Sequence, residues 1–107
     1  MDYDALYADL TKKLENEIPI TAYPIRELVQ IFRQNGNPIT LKSKLTITSV
    51  FNTGDVSGIM CTVEVNEDAV HACSLTHLTF EPSFRLSKEI LEYQRKRFKR
   101  IQQINKM

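Results

Sequence analysis

The chain has 107 residues, 42% of them hydrophobic and 25% charged, with a net charge of +1. That is the size and composition of one soluble globular domain, residues 1–107, with a modest core and no room for a second lobe. So even a balance selects no partner by itself, and no run of about eighteen apolar residues is present to cross a membrane.

The first residues, "MDYDALYADL", are acidic and amphipathic rather than basic and then apolar, which is not the pattern of a secretion signal. Tyr3, Leu6, Tyr7, Leu10 and Leu14 recur at three- and four-residue steps, and this spacing predicts a helix from Asp2 to about Ile18. Asp2 and Asp4 stand where a helix dipole favours negative charge. The stretch "IPITAYP" breaks the pattern, because each proline pushes its predecessor toward extended backbone. A second helix is expected from Pro24, with Ile25, Leu28, Val29 and Phe32 on one face and a stop at Gly36.

From Ile39 the apolar period falls to two. In "LKSKLTITSVF", Leu41, Leu45, Ile47 and Phe51 alternate with polar residues, as in a half-buried strand. "NTGD" reads as a turn in which Gly54 takes positive φ, with Asp55 as a solvated turn acid. "GIMCTVEV" and "AVHACSL" read as two further strands joined at "NED", which makes an antiparallel meander. Alternation then fails: Leu78 and Phe80 have the wrong parity to continue Cys73 and Leu75. One tight helical turn at Thr76–Leu78 and a stub of strand would account for this, and such an ending belongs to small SH3-like barrels.

His71, Cys73, His77 and Cys61 are all of metal-ligand type, but their spacing fits no zinc pattern. If three residues turn at "NED", Cys61 pairs with Cys73 across the strands, and small buried thiols are ordinary core residues. Both thiols sit among apolar neighbours, which raises a thiol pKa and disfavours nucleophilic chemistry. With three glycines in the chain and none in a phosphate-binding pattern, there is no sign of an enzyme, a cofactor or a metal.

The last segment predicts a long helix from about Phe84 to Ile104. It also holds the chain's charge asymmetry. Residues 1–18 carry two basic and five acidic groups, a balance of −3, and residues 19–84 carry four and six, a balance of −2. Residues 85–107 carry eight basic and two acidic groups, a balance of +6. At roughly 100° per residue, Leu86, Ile90, Leu91, Tyr93, Gln94, Phe98, Ile101 and Ile104 fall within an arc of about 160°. Lys88, Arg95, Lys99 and Lys106 lie on one flank, Lys96 and Arg100 on the other, and Arg97 lands inside the apolar arc. A recognition helix would gather its basic readers on one side. Here dipole matching and the i, i+4 pair Glu92–Lys96 explain much of the charge.

The stretches "TGDVSGIMCTV", "SLTHLTF" and "EILEYQRKR" together resemble small cyanobacterial proteins of unknown function. That resemblance, over roughly residues 45–100, implies a compact cytoplasmic domain and names no site residue.

The expected fold is α+β: two N-terminal helices, a three-stranded antiparallel meander that could curl into a small SH3-like barrel, and a long C-terminal helix. The expected function is a non-catalytic interaction or regulatory module of the cytoplasm that self-associates or meets a protein partner. Phe98, Ile101 and Ile104 are its expected contact residues. Its acidic counterparts are expected at Asp2, Asp4 and Asp9. The alternative is nucleic-acid binding through Arg95, Lys99 and Arg100.

Overall fold

The computed structural model describes residues 2–66 and 69–105. The elements follow in the order α1 (Tyr3–Glu15), β1 (Ile20–Pro24), α2 (Arg26–Gln34), β2 (Leu45–Asn52), β3 (Ile59–Asn66), β4 (Ala69–Ser74), a 3-10 turn (Leu75–His77), β5 (Leu78–Thr79) and α3 (Ser87–Asn105). The class is α+β, as expected, but the described strands number five rather than three. They form one antiparallel sheet in the order β4-β3-β2-β1-β5, so that β1 lies between β2 and β5.

The strand missing from the sequence reading is β1, hidden in "IPITAYP". Pro24 does not open the second helix. It closes β1 opposite Leu78, where a residue without an N–H is tolerated because β5 is only two residues long. Ile25 is the N-cap of α2 instead, and its N–H donates to His77 O at 3.0 Å.

A second difference lies in β2. Ile47 pairs with Val63 and Ser49 with Thr62, so Thr48 is an extra residue, a β-bulge. Beyond the bulge the parity reverses. Leu45, Ile47 and Val50 are buried, whereas Phe51 faces solvent. Leu41 is also exposed, because the strand starts only at Leu45 and the residues before it form a turn closed by Thr40 and Ser43.

The sheet and the helices enclose one apolar core. Tyr7, Leu10 and Leu14 enter it from α1, Leu28 and Phe32 from α2, and Ile90 and Tyr93 from α3. Cys61 and Cys73 face each other across β3 and β4 as free, buried thiols. Their pairing is the expected one, but the ladder shifts register after Glu64, so the simple hairpin count does not hold to the turn. Glu67 and Asp68 of "NED" lie outside the described residues. Burial raises both thiol pKa values, that of Cys73 to about 12.

Candidate interaction surface

The long helix decides what the surface can do, and it has three sides. Its first side faces the core with Leu86, Ser87, Ile90, Tyr93 and Arg97. The predicted apolar arc is therefore split: its centre is buried and one edge is not.

Arg97 occupies that buried side at 4% exposure, in spite of its charge. A buried guanidinium needs acceptors, and the loop between β2 and β3 supplies them. Arg97 Nη1 donates to the Asp55 carboxylate at 3.1 Å, to Asp55 O at 3.2 Å and to Tyr7 Oη at 3.2 Å, and Nη2 donates to Val56 O at 3.2 Å. Tyr7 Oη in turn donates to Asp55 at 3.3 Å. Arg100 reaches the other carboxylate oxygen of Asp55 through Nε at 2.7 Å and Nη2 at 2.6 Å. The hydrogen bonds from Arg100 hold the Asp55 carboxyl below its usual pKa, against a smaller opposing effect of burial. Asp55 is thus not a solvated turn acid. It clasps two arginines, and the sequence signal for that role was Arg97 inside an apolar arc.

The same loop is held a second way. The Ile59 N–H donates to Tyr93 Oη at 2.9 Å, and burial pushes the Tyr93 phenol up to about 12. A Cβ on Gly58 would lie 2.5 Å from Tyr93 Oη and 2.9 Å from Arg97 Nε, so only glycine allows this approach.

The second side of α3 is neutralised within the chain. Lys96 pairs with Glu92 at 3.0 Å, as the i, i+4 spacing predicts, and Arg100 is committed to Asp55. Glu89 takes Lys13 from α1 at 2.9 Å, and Lys13 also holds Asp9 at 3.3 Å. Of the expected acidic counterparts, Asp9 is therefore engaged in its own helix, and the Asp2 side chain caps α1 by accepting from Ala5 N at 3.1 Å.

The third side is open. Lys88, Leu91, Arg95, Phe98 and Gln102 recur at three- and four-residue steps and share one face, with Lys99 beside them. Leu91 is 60% exposed and Phe98 62% exposed. None of Lys88, Arg95 and Lys99 makes a salt bridge among the described residues, although the charge of Arg95 is felt by Glu92 one turn before it. Beyond Arg97 no described side chain of the helix is fully buried, although Arg100 still reaches Asp55 and the Tyr3 ring. Ile101 and Ile104, on the core-facing side, remain 36% and 38% exposed.

Of the sequence-predicted contact residues, Phe98, Ile101 and Ile104 thus stand exposed along the last turns. Of the nucleic-acid candidates, Arg95 and Lys99 are free and Arg100 is not. His71 packs against Phe32 of α2, with ring centroids 4.8 Å apart. Among the described residues, no three His, Cys, Asp or Glu side chains gather as a metal site, and no helix is long and apolar enough to cross a membrane.

Comparison with protein families, with curated proteins and with solved structures gave no match for this chain.

Proposed function

We propose that this protein is a non-catalytic interaction module that self-associates through the projecting end of α3. The observation that carries this reading is the exposure of Phe98, Ile101 and Ile104 on successive turns of one helix end. Taking such a side chain from full exposure to full burial is worth roughly 1.5–3 kcal/mol, and Phe98, at 62% exposed, has more of that still to gain than Ile101 and Ile104. A two-fold contact requires a patch that complements itself. Arg100 lies over the Tyr3 ring at 5.1 Å, so the first turn of α1, which carries Asp4, borders the last turns of α3 and supports such a patch.

The strand order and the 3-10 turn before the last strand support an SH3-like barrel as the scaffold. On that scaffold α3 is an addition that carries the contact. Two unbridged, buried thiols suit a reducing compartment, the cytoplasm.

Light scattering and sedimentation test the reading. The wild-type chain should be a dimer that Phe98→Glu and Ile101→Glu convert into folded monomers. A wild-type chain that stays monomeric up to its solubility limit overturns it.

A further inference from the structure

A second binding surface lies along the open side of the same helix, and it has a different character. Thr79, Phe80 and Pro82 form one wall of a cavity of about 290 Å³, and Ile90, Leu91 and Gln94 of α3 form the other. Leu91 and Gln94 also line the neighbouring cavity, which continues past Arg95, Phe98 and Lys99 to Gln102. The two cavities are therefore one groove beside α3. From Lys88 to Gln102 it runs about 21 Å at the helical rise per residue.

The groove is built, not left over. Gln94 Nε2 donates to Leu75 O at 2.9 Å and to Leu78 O at 2.8 Å, which locks α3 onto the 3-10 turn. Ser87 Oγ donates to Pro82 O at 3.1 Å, and Phe80 stacks on Phe84 with centroids 5.8 Å apart. These contacts fix the wall opposite Leu91.

Charge identifies the occupant. The floor is apolar, and the ionisable residues lining the groove are Lys88, Arg95 and Lys99, all cations that make no salt bridge among the described residues. The other three cations described on α3, Lys96, Arg97 and Arg100, are all paired. We infer that the groove docks an acidic amphipathic segment of another protein, with large apolar side chains entering between Phe80, Pro82 and Leu91 and carboxylates meeting Lys88, Arg95 and Lys99. The recognition mode is an amphipathic segment laid in a hydrophobic groove.

The chain's own acidic helix does not fit this role. The exposed face of α1 presents Asp4, Ala5, Ala8, Asp9, Lys12 and Glu15, and no large apolar side chain. The inference goes beyond self-association: it uses the open side of α3 from Lys88 to Gln102 and shares only Phe98 with the self-association patch.

Fluorescence anisotropy tests it with three labelled probes: a synthetic amphipathic peptide with a Leu/Phe stripe flanked by Glu, its Lys-flanked twin, and single-stranded DNA. The measurements use the full chain and its Ile101→Glu variant, so that failure of docking and failure of self-association are told apart. The Glu peptide should bind saturably to both, and more weakly as salt rises. Lys88→Glu and Arg95→Glu should each weaken it by about tenfold or more, because they set like charges together. Leu91→Asp should abolish binding, with circular dichroism confirming that the fold is kept. Lys12→Glu, a cation outside the groove, should change nothing. Absence of saturable binding of the Glu peptide overturns the inference. So does equal binding of the Lys twin, or DNA binding that the same substitutions remove.

Discussion

Arg97 and Gly58 show how single residues fix the loop that braces α3. Arg97 is buried because four acceptors converge on its guanidinium, and two of them are backbone carbonyls of the loop itself. Gly58 permits the close approach with a φ of +68°. Gly54 has nearly the same φ, +69°, but nothing lies within 4 Å of its missing Cβ. The two glycines therefore separate conformational strain from contact. Gly54→Ala should cost about 1–2 kcal/mol, the price of a left-handed non-glycine residue alone. Gly58→Ala should cost at least about 1 kcal/mol more, since it also displaces the Tyr93 hydroxyl from the Ile59 N–H. Chemical denaturation of both variants measures the difference, and equal losses would refute the close packing at Gly58. Asp55 adds a pH signature. Its carboxyl is held below the ordinary value of about 4, so the folded state gains stability from it above that pH and loses it as pH falls through the lowered pKa. Asp55→Asn should destabilise the protein by about 1–3 kcal/mol at neutral pH, because Arg97 loses its charged partner. The gap to wild type should close in acid. A gap that is constant from neutral to acid pH would show that the carboxylate charge is not what holds the loop.

The elements were legible in the sequence where one period ran unbroken, and hidden where short-range chemistry interrupted it. Tyr7, Leu10 and Leu14 gave α1, and Leu28 and Phe32 gave α2, because each helix buries a stripe of its own. The parity break after Leu75 located the 3-10 turn to within one residue, at Leu75–His77. β1 was missed because two prolines bracket it, and only the short partner strand β5 makes Pro24 acceptable there. The bulge at Thr48 was invisible because alternation carries no mark of an added residue, yet it exchanges the roles of Val50 and Phe51. The exchange is testable. Val50→Ala should cost about 1–3 kcal/mol as a core truncation. Phe51→Ala, although it removes the larger side chain, should cost under about 1 kcal/mol. The reverse order would mean that β2 runs without the bulge. The candidate surface was legible as a set of residues but not as an arrangement. A wheel places Leu91 and Phe98 in the apolar arc and cannot show that the body covers only the half containing Ile90, Tyr93 and Arg97.

For the whole molecule, the point at which burial along α3 stops separates folding from association. The radius of gyration is 13.6 Å, close to that of an ordinary domain of this size, while a helix of 19 residues spans about 28 Å. That length fits within the 39 × 32 × 22 Å extents of the molecule, so burial and not length marks where α3 leaves the core. Among the described residues, its last buried side chain is Arg97 and its last ion pair with the body is Arg100 on Asp55. A chain ending at Arg100 keeps both and drops Ile101 and Ile104, the two isoleucines of the projecting turns. Among the described residues such a change removes only side chains that are at least a third exposed, so it should move stability by no more than about 0.5 kcal/mol. In a domain this small that is a shift in melting temperature of about 2–4 °C at most. Self-association, by contrast, should be lost, since Phe98 alone would remain of the exposed stripe. Thermal melts and sedimentation of the shortened chain read the two properties separately. If the shortened chain unfolds, the projecting turns belong to the core. If it folds and still dimerises, the contact lies elsewhere on the molecule, and the end of α3 is not what joins one copy to the next.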